Sequence, residues 1–267
     1  MKNQIVCAIK KDIKEYLRNR KNILFSMTLL SLCAMVLVAT KFLPSLISEL
    51  VKQASHMISN TATISDTLAA FFPENLRANM GILASDIAIF YGIVVILSTY
   101  NLIVKEINDE KWIFPLSTGY KPSILLISKG LVFGVGAALP SIIFYNLYFI
   151  IGNIYLTPNY DFATALINSL VLGFAIFSIV YLTIMLSLVY KQAIMSALTM
   201  ILFLTVAPDI FSLFTFGKYL PTYLLTFVYT TSTNIFDLII PFLFTIIIQI
   251  LLTFVASKKI ANIEVSR

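Results

Sequence analysis

Six stretches of the chain, residues 22–43, 87–104, 130–151, 166–189, 193–208 and 238–255, run with almost no charge. A helix rises about 1.5 Å per residue and the bilayer's hydrocarbon core is about 30 Å thick, so a crossing needs roughly 20 such residues. Lipid offers the backbone no hydrogen bonds, and a long apolar run without strand alternation meets that constraint only as a helix. The expected fold is therefore an all-α membrane protein with six transmembrane helices in one transmembrane domain. Composition agrees, since 59% of the 267 residues are hydrophobic and 12% charged, against roughly half and one quarter in soluble domains. The first stretch is longer than the roughly 7–15 apolar residues of a signal peptide and lacks a small-x-small cleavage site, so it is expected to stay in the mature chain.

An even number of spans puts both termini on one side of the membrane. Of the 19 Lys and Arg residues, 15 fall in residues 1–21, the 105–129 loop, Lys191 and the tail from 256 onward. Positive charge stays on the cytoplasmic side, so both termini are expected there, in a multi-pass protein of the cytoplasmic membrane. The basic balance thus reports topology and gives no reason to propose nucleic acid as a partner.

In residues 1–21, Ile5, Ile9, Ile13, Tyr16 and Leu17 recur at helical spacing while Lys10, Lys11, Lys14, Glu15 and Arg18 take the other side. This is the pattern of an N-terminal amphipathic interfacial helix lying along the inner leaflet, either as an orienting anchor or as a partner contact. The external segment 44–86 carries a second apolar face, Leu46, Ile47, Leu50, Val51, Ala54, Met57 and Ile58, which either prolongs the first span or rests on the membrane. Its later part holds the turn signals Pro73-Glu74-Asn75 and Asn79-Met80-Gly81. Residues 209–237 contain apolar runs too short to cross, broken by Gly217-Lys218 and Pro221, as in external re-entrant or surface helices.

The 105–129 loop reads KEINDEKWIFPLSTGYKPSILLISK. Its mixed charges followed by Trp112, Ile113 and Phe114 suit a short helix that seats on a partner with the aromatics as anchors. Interfacial preference of Trp for membrane surfaces is the alternative.

Several chemistries are excluded. His56, on the expected external helix, is the single histidine and no G-x-x-x-x-G-K-[ST] occurs, so a two-histidine metal site, a Ser-His pair buried in the membrane and a P-loop are ruled out. Cys7 and Cys33 form no metal or disulfide motif. The chain is read as no enzyme, with no catalytic residue, metal or cofactor of its own. Asp86, Asp209, Asp237 and Lys129 sit at span ends rather than at mid-membrane depth, which disfavours ion-coupled transport. Tyr100, Asn101, Tyr145, Asn146, Tyr148 and Tyr181 are candidates for lining a pathway, and helix packing is the other use of such groups.

Six spans, a basic amphipathic N-terminal helix and the charged loop together resemble a type-2 ABC transporter permease, the membrane subunit of an ATP-binding cassette exporter. The local resemblance is carried by Thr118-Gly119-Tyr120-Lys121-Pro122-Ser123-Ile124-Leu125-Leu126-Ile127-Ser128-Lys129, preceded by Glu106 and Glu110-Lys111. Gly119 stands where the family often has proline and Ser128 where it often has glycine. The resemblance implies that Glu106, Asp109, Glu110, Lys111, Trp112 and Phe114 couple to an ATPase, beside a connecting helix at Ile5 to Leu17. It also implies a second permease subunit, in a homo- or heterodimer, and ATP with Mg on a separate ATP-binding cassette subunit. The substrate would be an amphipathic or hydrophobic peptide, drug or lipid. A non-transporting sensor or anchor with a partner-binding cytosolic loop is the competing expectation.

Overall fold

All six apolar stretches are helical in the computed structural model, which describes residues 2–54, 75–190 and 192–265. The helices are α1 (Lys2–Arg18), α2 (Lys21–Ala54), α3 (Leu76–Asp86), α4 (Gly92–Thr99), α5 (Leu102–Asn108), α6 (Ile113–Ser117) and α7 (Pro122–Tyr155). They continue as α8 (Phe162–Tyr190), α9 (Ala193–Thr205), α10 (Ala207–Ser212), α11 (Tyr223–Tyr229) and α12 (Ile239–Val265). Among the described residues, five helical segments are long and apolar enough to cross a membrane: Lys21–Phe42, Leu76–Asn108, Pro122–Tyr155, Phe162–Tyr190 and Ile235–Ile260. The chain is all-α, with five long apolar helical segments that could cross a membrane.

Several boundaries differ from the sequence expectation. The second span begins at Leu76 rather than Ile87, because Asn75 caps the helix, its side chain accepting the Ala78 N–H at 2.7 Å. The turn-like Asn79-Met80-Gly81 is buried inside α3, where Gly81 lets the backbone carbonyl of Tyr229 approach closely enough that a Cβ would collide with it. A π-helical stretch, Ile87–Tyr91, joins α3 to α4. The backbone of residues 46–54 prolongs α2; Met57, Ile58 and the Pro73-Glu74 signal lie outside the described residues. The expected 193–208 span is instead a 13-residue helix, α9, broken at Val206 before α10. Pro208 lacks the N–H that would continue the ladder, so the helix cannot run on unbroken.

Contacts between side chains fix the helix directions. Along α3 to α5, Leu76 packs on Gly152, Tyr148 donates to Asn79 at 3.1 Å and Lys129 meets Glu106, so this rod runs antiparallel to α7. Helix α8 is also antiparallel to α7, with Asn146 on Ser169 and Gly130 on Tyr181. Gln249, Thr253 and Lys259 of α12 meet Ser178, Tyr181 and Val189 of α8 in the same order, so α8 and α12 are parallel. The intervening chain, α9 to α11, must therefore climb from the Tyr190 end back to the other end. It arrives there at Thr231, whose hydroxyl and carbonyl accept from Arg77 at 3.0 Å each.

Helix α1 does not lie across the bundle. Gln4 reaches Gly119, Asp12 reaches Ser128 and Tyr16 reaches Gly136, so α1 climbs alongside the first half of α7 in the same direction. Pro140 explains the last contact: it has no N–H to offer the Gly136 carbonyl four residues back. The Tyr16 hydroxyl donates to that carbonyl at 2.9 Å, and the Tyr91 hydroxyl donates to the next one, Ala137, at 2.7 Å. Tyr16, Phe25, Tyr91 and Phe133 form one edge-packed aromatic cluster around this point. Gly136 leaves the room, since a Cβ there would fall 2.6 Å from the Tyr16 ring.

Candidate functional site

Polar chemistry concentrates at the Lys129 end of the bundle. Asp12 and Glu15 are three residues apart on α1 and so share a face. Lys129 lies two turns into α7, after the buried Ile124, Leu125, Leu126 and Ser128, and Glu106 lies in the last turn of α5. The Lys129 ammonium meets Glu106 at 2.7 Å, Glu15 at 2.9 Å and Asp12 at 3.5 Å, with its side chain 2% exposed. Ser128 donates to Asp12 at 2.5 Å, and Lys11 stands 4.0 Å from Glu106. Burial pushes the Asp12 carboxyl above its usual range, more strongly than Lys129 and Ser128 pull it down. Burial also pushes Glu15 upward, but the charge and hydrogen bond of Lys129 outweigh it and hold that carboxyl below its usual range.

The connecting loop is built onto this cluster. The Trp112 indole N–H donates to the second Glu106 oxygen at 2.8 Å, and the Lys111 N–H returns to the Glu106 carbonyl at 3.0 Å. Glu110 takes φ 59° to make that reversal, and Gly119, at φ 84°, makes the second turn leading into α7. Pro122 then stands at the start of α7, where a missing N–H is tolerated.

Of the residues expected to face a partner, Glu106 and Trp112 are each only 4% exposed. The expectation of Trp112 as a surface anchor is corrected, because its indole N–H needs an acceptor and finds Glu106 inside the fold. Asp109, Glu110 and Lys111 are on the surface, Lys111 pairing with Asp109 at 2.8 Å. The side chain of Phe114 lies outside the described ones. Ser128 and Asp12 were missed by sequence reasoning; the three-residue spacing of Asp12 and Glu15 opposite an isolated Lys129 was the available signal.

The pathway candidates separate into two groups. Tyr145, Asn146, Tyr148 and Tyr181 sit between helices: Asn146 donates to Ser169 at 2.9 Å, Tyr148 bonds Asn79, Tyr181 pairs with Thr253 at 2.8 Å, and Tyr145 is fully buried. Tyr100 and Asn101 line a cavity of about 480 Å³ at the Lys129 end. A neighbouring groove of about 920 Å³ runs along α1 and shares Glu15, Arg18, Glu106 and Lys111 with it. Comparison with protein-family models, with curated proteins and with solved structures returns no match.

Proposed function

We propose that the chain is the membrane-spanning permease subunit of an ATP-binding cassette exporter, moving an amphipathic or hydrophobic substrate with ATP hydrolysed on a separate subunit. The observation that carries the reading is the 105–121 loop. It joins two spans, presents Asp109, Glu110 and Lys111 outward, and is bonded rigidly through Trp112 and Glu106 to Lys129 and α1. A push on such a loop would reach two long helices and the N-terminal helix through these bonds.

The order of elements supports the same reading. The chain between α8 and α12 climbs the length of the bundle, so it counts as a sixth crossing made from a short α9, a break and the turns around α10 and α11. Six crossings would put both termini on one side, and the excess of Lys and Arg supports the cytoplasmic side. Helices α2 and α12 keep broad exposed apolar faces, which lipid and a second permease subunit would share.

The test is to purify the tagged chain in mild detergent, identify what accompanies it and measure ATP hydrolysis. A stoichiometric ATPase is expected, and the double variant Asp109→Lys, Glu110→Lys should release it while the chain stays monodisperse. A preparation without any nucleotide-hydrolysing partner would overturn the permease reading and favour a sensor or anchor.

A further inference from the structure

The groove along α1 gathers cations that the fold does not neutralise. Lys10, Lys14, Arg18 and Lys105 border it or its neighbouring cavity, are exposed, and make no ion pair among the described residues. The two acids in its wall, Glu15 and Glu106, are already held by Lys129. Repulsion among these cations is relieved only by a bound anion or by solvent ions.

Position narrows the anion. Exposed Ile13 lines the groove, the same helix also exposes Val6 and Leu17, and α2, which follows it, exposes Ile23, Leu24 and Met27 at its start. Leu97, also exposed, forms part of the wall of the smaller cavity. Lipid covering this apolar surface brings acyl chains beside the cations, so a headgroup carried on those chains reaches them without leaving the leaflet. A ligand with a phosphate head and acyl chains matches both.

We infer that the α1 groove is a binding site for the phosphate headgroup of an anionic phospholipid of the inner leaflet. Lys10, Lys14, Arg18 and Lys105 bind the headgroup, and the acyl chains lie over Ile13, Leu17 and the first turns of α2. The inference rests on the Lys129 end facing the cytoplasmic leaflet and not on an ATPase partner, so failure to recover an ATPase leaves it standing.

Cys7 supplies the probe, because it is exposed and lines the groove while Cys33 is buried. The full chain in detergent is alkylated with N-ethylmaleimide, and the modification of Cys7 is followed by mass spectrometry. Dihexanoyl phosphatidylglycerol is expected to slow it several-fold, and dihexanoyl phosphatidylcholine to leave it unchanged. The triple variant Lys10→Gln, Lys14→Gln, Arg18→Gln should abolish the protection with Cys33 still unreactive. If that variant unfolds, exposing Cys33, the comparison of the two lipids on the native chain still decides. Equal protection by both lipids, or by neither, overturns the inference. Inorganic phosphate protecting as well as the anionic lipid would assign the groove to a free anion, and poly-glutamate protecting better would assign it to an acidic protein; either result overturns the lipid site.

Discussion

Lys129 stands among three carboxylates and pulls down both of those on α1, yet their net shifts are opposite. Asp12 is the more deeply enclosed, so burial dominates and its neutral form is favoured in the folded state. Its contribution to stability is therefore present below the unfolded value near 3.8 and lost as pH rises through the raised folded value. Glu15 is held below its usual range, so its contribution is present above the unfolded value near 4.5 and lost as pH falls through the lowered one. Thermal melts of the detergent-solubilised chain across this range should separate them. Asp12→Asn is expected to match the native protein in acid and exceed it at neutral pH. Glu15→Gln should cost about 1.5–3 kcal/mol at neutral pH, the scale of a charged hydrogen bond, and nothing in acid. Parallel pH profiles for the two variants would refute this division. The cluster was only partly legible in the sequence. Glu106 stood out because its loop is charged, whereas Asp12 was hidden among lysines and its inward direction depends on how α1 packs against α7, a tertiary fact that periodicity does not contain.

Among the elements, α7 shows how a local defect is repaired from a distance. Pro140 leaves the Gly136 carbonyl without a helical donor, and a tyrosine on α1 fills the gap 120 residues away in sequence. The proline was visible in the sequence, but the hydroxyl that answers it was not, since nothing near Pro140 marks Tyr16 as its partner. Tyr16→Phe should cost about 0.5–1.5 kcal/mol, the net value of one hydrogen bond. The same change made on top of Pro140→Ala should cost less, because alanine returns an N–H to Gly136. A double-mutant cycle measured by thermal or denaturant unfolding reads the coupling, and additive effects would show that the hydroxyl does not serve the proline's vacancy. The boundaries that the sequence misplaced have the same origin. Asn79 and Gly81 carry turn propensity, yet α3 runs through them because Gly81 seats Tyr229 and the Asn79 side chain bonds Thr40 and Tyr148. Tertiary packing overrides local preference where the alternative buries unpaired polar groups.

At the scale of the whole molecule, the number of crossings depends on the one region where helix length alone misleads. Helix α9, at 13 residues, is about 20 Å long, well short of the hydrocarbon thickness. A reading by length therefore finds five spans and puts the termini on opposite sides. The parallel alignment of α8 and α12 supports the proposed sixth crossing instead: whatever the intervening chain does locally, it must return to the Arg77 end before α12 begins. Charge agrees, since Lys258 and Lys259 at the end of α12 then share a side with the basic α1. An impermeant maleimide applied to intact cells tests this directly. Native Cys7 is expected to be shielded until the membrane is permeabilised. In a Cys7→Ser background, Lys258→Cys should behave in the same way and Pro158→Cys, on the exposed turn between α7 and α8, should label at once. If Lys258→Cys labelled in intact cells while Cys7 stayed shielded, the stretch between α8 and α12 would not cross. The six-crossing arrangement would then fail, and with it the common side of the two termini on which the permease reading depends.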